Sequence, residues 1–159
     1  MRECGDVSRN ERGAICVWFV LCMPTLLSVM ALVFDVAWAS IGQNYLQVAA
    51  DGGALAGVQE IDLDRLALGE CRIVPEPAIT VARLYAFDNL SRSLAPEHLA
   101  SCMVTARAFN PGEPGWHGPP QVVLNPTVCV EVCLPIQFPV TRMWRMLRVH
   151  ADASLMPHP

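Results

Sequence analysis

The longest feature of the hydrophobic pattern is a stretch from Ala14 to Phe34 that contains no charged residue. It runs for about 21 residues, or roughly 32 Å of helix at ~1.5 Å per residue, against a bilayer core of about 30 Å. Pro24 interrupts it, as membrane helices tolerate where neighbouring groups re-satisfy the backbone. Ser8 followed by Glu11 has capping-box spacing, so the helix is expected to begin before the apolar stretch does. Beyond Phe34 the pattern turns amphipathic. Trp38, Ile41, Tyr45, Val48, Gly52 and Ala56 recur at three- and four-residue steps, while Ser40, Gln43, Gln47 and Asp51 fall on another face. Ala49, Gly53 and Gly57 form a stripe of small residues that permits close approach of a second helix. That helix could belong to a partner, making Ala49, Asp51, Gly53 and Gly57 a docking face, or to the chain's own domain. Gly52-Gly53 could also end or bend the helix.

Residues 58–77 read as a loop with an acidic, solvated patch at Glu60, Asp62 and Asp64. A second helix is expected over Ala78 to Leu94, with Pro77 in its first turn and Pro96 ending it. Its apolar stripe is Ile79, Ala82, Ala86, Leu90 and Leu94, and Asp88 and Arg92 form an i,i+4 pair. The period then changes to two. Alternation runs through Cys102–Phe109, Val128–Cys133 and Leu147–Leu155, which predicts strands with one packed and one wet face. Asn110 to Pro120 is rich in Pro and Gly and reads as a loop, and Gln121 to Asn125 is a candidate further strand. The fold class is α+β: one N-terminal transmembrane helix with an amphipathic extension, a second helix, and three or four antiparallel strands. The expected divisions are a short N-terminal segment (1–13), the membrane helix (14–34), the extension (35–57) and a small domain (58–159).

Charge sets the expected direction of the anchor. Arg2, Arg9 and Arg12 precede the apolar stretch, and the next cation is Arg65. By the positive-inside rule the N-terminus stays in the cytoplasm and the C-terminal domain crosses. The competing reading is a cleaved signal peptide, for which Ala37-Trp38-Ala39 has the small-x-small form. The apolar stretch exceeds the usual ~7–15-residue signal core, and Asp35 falls just before that cut, so a retained anchor is favoured. The formal net charge of -4 provides no basic surface, so no nucleic acid is expected as a partner.

Candidate chemistry is sparse. No phosphate loop, nucleophile elbow or HExxH is present, and His98, His117, His150 and His158 are scattered. Neither catalysis nor a metal or cofactor is expected. Of the seven cysteines, Cys4, Cys16 and Cys22 lie before or within the apolar stretch, and Cys71, Cys102, Cys129 and Cys133 lie after it. Cys129 and Cys133 are four residues apart on one expected strand, ~13 Å, beyond the ~7 Å Cα separation a disulfide allows. In an oxidising compartment each is expected to pair with Cys71 or Cys102, in either connectivity.

Arg12-Gly13-Ala14, the apolar stretch broken by Pro24, Asp35, and then Leu46-Gln47-Val48-Ala49-Ala50-Asp51-Gly52-Gly53-Ala54-Leu55-Ala56 together resemble the N-terminal region of TadE/TadG-like proteins. These belong to the tight-adherence (Flp) pilus assembly system. The resemblance covers roughly residues 11–57, and its specific part is the Gln-x-Ala-Ala-Asp-x-x-Ala-Leu-Ala element. It implies a pseudopilin-like or pilus-accessory protein with a pilin-like domain. It further implies an anchor in a bacterial inner membrane, a domain in the periplasm, other pilus-assembly proteins as partners, and self-association through the N-terminal helix. TadE-type members are cut after a Gly by a prepilin peptidase and carry a Glu five residues later. Gly13 and Ala14 match the cut, but Trp18 stands where the Glu would be, which moves the resemblance toward the TadG-like type that keeps its anchor. The other function kept open is a membrane-anchored periplasmic binding module unrelated to pili.

Overall fold

A computed structural model describes the backbone of residues 7–116 and 122–156, and side chains from Cys16 onward. The first element, α1 (Val7–Val58), is one continuous helix of 52 residues, roughly 78 Å long at ~1.5 Å per residue. Pro24 lies inside it without ending it. Nearby hydroxyls turn back onto the backbone, Ser28 donating to the Pro24 carbonyl at 2.8 Å and Thr25 to the Leu21 carbonyl at 3.5 Å. Gly52-Gly53 do not end the helix, which continues to Val58. The segment 16–34 stands almost wholly exposed, and it forms a helix long and apolar enough to cross a membrane.

From Asp35 onward α1 joins the folded domain. An amphipathic helix ordinarily buries its large apolar stripe. Here the opposite face is buried: Leu46, Ala49, Ala50, Gly53, Ala54, Gly57 and Val58. Trp38, Ile41, Tyr45, Val48 and Leu55 remain exposed. The reason lies in the next long helix, α3 (Pro75–Ser93), whose buried residues are Ala78, Ala82, Ala86 and Leu90. Small residues on both helices bring the backbones together. A Cβ at Gly53 would stand 2.7 Å from the Ala82 carbonyl oxygen and 2.9 Å from Ala86 Cβ. One at Gly57 would stand 2.9 Å from the Ala78 oxygen and from Ala82 Cβ. These separations leave no room for any side chain larger than glycine's.

Between them, the expected loop contains a short helix, α2 (Leu63–Ala67), capped by Asp62, whose carboxylate accepts from the Arg65 N–H. Ile61 and Ile73 form an isolated antiparallel bridge. Helix α3 begins at Pro75, three residues before the expected start, with proline in its first turn. Asp88 and Arg92 pair across it at 2.7 Å, both largely exposed. A short α4 (Pro96–Ser101) follows.

The sheet has the order β1-β2-β3, all antiparallel: β1 (Met103–Phe109), β2 (Thr127–Gln137) and β3 (Trp144–Ser154). Ala106, Val128, Val130, Val132, Leu134, Leu147, Ala151 and Ala153 form its buried face and close the core over α1 and α3. The chain is thus α+β, as its periodicity predicts. Strand β2 extends past the predicted Cys133 through Pro135. Strand β1 begins opposite Cys133, so at Pro135 that edge of β2 has no paired strand among the described residues, and proline is tolerated there. The candidate fourth strand is reduced to a single bridge between Pro114 and Val122, and Gln121 lies outside the described residues.

Candidate membrane-proximal surface

Asp35 is the first charged residue after the apolar stretch, and the structure gives it a specific task. It is 4% exposed. Its two carboxylate oxygens accept from the backbone N–H groups of Val140 and Thr141, each at 3.1 Å. Those residues sit in the turn between β2 and β3. One carboxylate therefore ties the tip of a hairpin, more than a hundred residues away in sequence, to the point where α1 leaves its apolar stretch. Burial opposes ionisation, but hydrogen bonds from the Thr141 side chain and from both backbone N–H groups outweigh it and hold the carboxyl below its usual range. The turn itself is closed by Phe138 and Met143, whose backbones bond at 2.9 Å, and Arg142 takes a positive φ of 58°.

Around this junction the surface is apolar. On α1 the exposed stripe of Trp38, Ile41, Tyr45, Val48 and Leu55 climbs away from it; Val48 is 63% exposed and its neighbour Ala49 1%. Tyr85 and Val81 of α3 line a shallow cleft with Gly52, Leu55 and Ala56 beside the upper end of the stripe. On the hairpin, Val140, Met143, Trp144 and Met146 are also exposed.

The sequence-predicted site residues fall as follows. Gly13 and Ala14 lie within α1, and nothing is described of side chains there. Gly53 and Gly57 are buried against the chain's own α3 and Ala49 is buried in the core, which is the own-domain alternative of the two readings the stripe allowed. Asp51 is exposed on the flank, where it accepts from Gln47 Nε2 at 2.9 Å. Cys71, Cys102, Cys129 and Cys133 are free thiols, and the expected bridges are not formed. The register explains this for β2. Cys129 lies between Arg107 and Asp152, and Cys133 between Met103 and Arg148, so neither has a cysteine as its cross-strand partner. Burial, reinforced by the Cys133 sulfur nearby, pushes the Cys102 thiol up to about 11.

One cluster was not anticipated. On the outer face of the sheet, ligand atoms of Cys129, His150 and Asp152 lie within 4.8 Å of one another. Asp152 is the cross-strand partner of Cys129, and His150 Nε2 is 2.8 Å from its carboxylate. Such a set of sulfur, nitrogen and oxygen could hold a borderline cation. Burial and then the hydrogen bond to Asp152 push the Cys129 thiol well above its usual range, so in this state it is a proton donor rather than a nucleophile. Trp116 meets the His150 ring edge-on, and the Arg107 guanidinium lies 4.7 Å from the Trp116 ring centre. The signal for this cluster was the two alternating strands, but pairing Cys129 with Asp152 requires the register of the hairpin, which the intervening length of turn leaves undetermined.

Residues 13–60 match the model of the Tad family, TadE/G-like Flp pilus assembly. The matched segment is α1 from Gly13 onward with the turn that follows it; α2, α3, α4 and the sheet lie outside it. No curated protein and no solved structure matches the chain.

Proposed function

We propose that the chain is a membrane-anchored structural or assembly component of a Flp-type (tight-adherence) pilus or a related secretion apparatus, not an enzyme. The observation that carries this reading is the match to the Tad family over residues 13–60, which coincides with the helix that runs unbroken from the apolar stretch into the domain. In this reading α1 crosses the bacterial inner membrane with its arginine-rich N-terminus in the cytoplasm, and the α+β domain stands in the periplasm. The exposed stripe of Trp38, Ile41, Tyr45, Val48 and Leu55 supports the reading, because it leaves a second helix-facing surface after α3 has taken the small-residue face. The chain's contacts are then other assembly proteins or further copies of itself.

The test is co-purification from detergent-extracted membranes. Tagged full-length protein is expected to retain pilus-assembly proteins, and Ile41→Glu with Val48→Glu is expected to lose them at unchanged abundance. Recovery of no assembly protein with the unaltered chain would remove the proposal. A reporter fused after Pro159 tests the orientation separately, and is expected to be active only if it works in the periplasm.

A further inference from the structure

The hairpin between β2 and β3 ends on exposed apolar side chains. Val140 and Met143 lie in the turn, and Trp144 and Met146 begin β3; Trp144 is 70% exposed. Arg142 and Arg145 sit among them, both exposed, and neither forms an ion pair among the described residues. On a freely solvated domain such a tip is a liability. Its position gives it a use. Asp35 marks the end of the stretch without charge, and Val140 and Thr141 donate to its carboxylate at 3.1 Å. The tip is therefore held at the depth where α1 leaves the bilayer.

We propose that this hairpin tip is a second membrane contact, seated in the headgroup layer of the leaflet from which α1 emerges. The proposal rests on the anchor reading of α1. The headgroup layer is roughly 5–7 Å thick on each side of the hydrocarbon core, from the difference between ~30 Å and ~40–45 Å. Met143 lies two residues along the chain from Thr141, at most ~7 Å, and Trp144 one further, ~10 Å. Met143 falls within that thickness, and Trp144, one residue further, stands at its outer margin. Trp144 and, on α1, Trp38 one turn past Asp35 occupy the place where amphipathic aromatic rings accumulate in membrane proteins. Arg142 and Arg145 supply guanidinium groups for lipid phosphates, which take bidentate bonds from arginine. The occupant of this apolar surface is thus lipid, and α1 and the tip together hold the domain at two points, which fixes its tilt and rotation on the membrane.

The experiment places a photo-crosslinking amino acid at one position of the full-length protein at a time. The protein is reconstituted in vesicles of phosphatidylethanolamine and phosphatidylglycerol. Position 27 reports the anchor, position 143 the tip, and position 124 is an exposed apolar control near the start of β2. Lipid adducts are expected at 27 and 143 and not at 124. In the position-143 variant, Asp35→Asn is expected to reduce the lipid adduct several-fold while the adduct at 27 is unchanged. Adducts at 27 without adducts at 143 would overturn the tip contact and leave the anchor standing. No adduct at 27 would overturn the anchor reading, and the tip contact with it. Protein–protein adducts at 143 in place of lipid would show a protein partner on the tip and also overturn the proposal.

Discussion

The two faces of α1 beyond Asp35 carry similar numbers of apolar residues and meet opposite fates. The face built from Ala49, Ala50, Gly53, Ala54 and Gly57 is buried, and the face built from Trp38, Ile41, Tyr45, Val48 and Leu55 is exposed. Hydrophobicity alone would reverse the assignment. What decides is the partner: α3 offers Ala78, Ala82 and Ala86, and two rows of small residues let the backbones approach until van der Waals contact is made along the whole interface. The large residues would hold the helices apart. At the crossing with α3 size governs the packing: Leu46 and Val58 are the large residues that α1 buries on the same side, while Trp38, Ile41, Tyr45, Val48 and Leu55 stay exposed.

That contrast can be broken from either side. The largest effect is expected from Gly57→Leu. A Cβ there already stands 2.9 Å from the Ala78 carbonyl oxygen and 3.0 Å from Val128 Cγ1, and a backbone oxygen cannot rotate out of the way. Overpacking costs typically about 1–3 kcal/mol and more where backbone must move, so loss of folded protein is expected on expression. Normal abundance and a normal unfolding curve would show that α1 and α3 do not pack as described.

Leu90→Ala removes a fully buried side chain from the end of the alanine row on α3. A loss of about 2–5 kcal/mol is expected by chemical denaturation in detergent. A loss below ~1 kcal/mol would place Leu90 outside the core.

Asp35 tests the tether. Its carboxyl is held below the usual range, so its contribution is fully present above the unfolded value of ~3.9 and is lost as pH falls through the folded value. Amide exchange at Val140 and Thr141, corrected for intrinsic rates, is expected to stay protected from pH 7 down to about 5 and to lose protection only below about 4. Asp35→Ala should expose both amides at neutral pH. Unchanged protection in that variant would show that the carboxylate does not hold the tip.

The smallest effect belongs to Asp51→Ala. This side chain is exposed and, among the described residues, accepts from Gln47 within its own helix, so a change of about 0.2–0.5 kcal/mol is expected. A loss above ~1.5 kcal/mol would mean that Asp51 holds something the fold does not show.

Elements whose signals are local were legible. The charge-free stretch gave α1's first half, proline and four-residue spacing gave α3, and alternation gave three strands with the right inner faces. What was missed depends on contacts between distant segments. Pro135 reads as a strand breaker unless one knows that β1 begins only opposite Cys133. Packing of the small-residue face against the chain's own domain was one of the two readings the sequence left open, and the alanine row on α3 decides for it only when both helices are compared by side-chain size. Asp35 could be placed at the boundary, but its bond to a turn over a hundred residues later leaves no local trace beyond an acid with no cation nearby. The Cys129, His150 and Asp152 cluster needs the hairpin register in the same way. The disulfide expectation failed because compartment argues only that thiols can pair, not that two of them face each other.

The central claim is that α1 packs within the chain by its small face and not by its large one. The most direct measurement compares two single variants of the full-length protein by denaturant unfolding in the same detergent: Gly53→Leu, which enlarges the small face, and Leu55→Ala, which trims the large one. Gly53→Leu is expected to lower the unfolding free energy by about 2 kcal/mol or more, and Leu55→Ala to stay within about 0.5 kcal/mol apart from its helix propensity. A large loss for Leu55→Ala with none for Gly53→Leu would contradict the claim and put the other face of α1 against the domain.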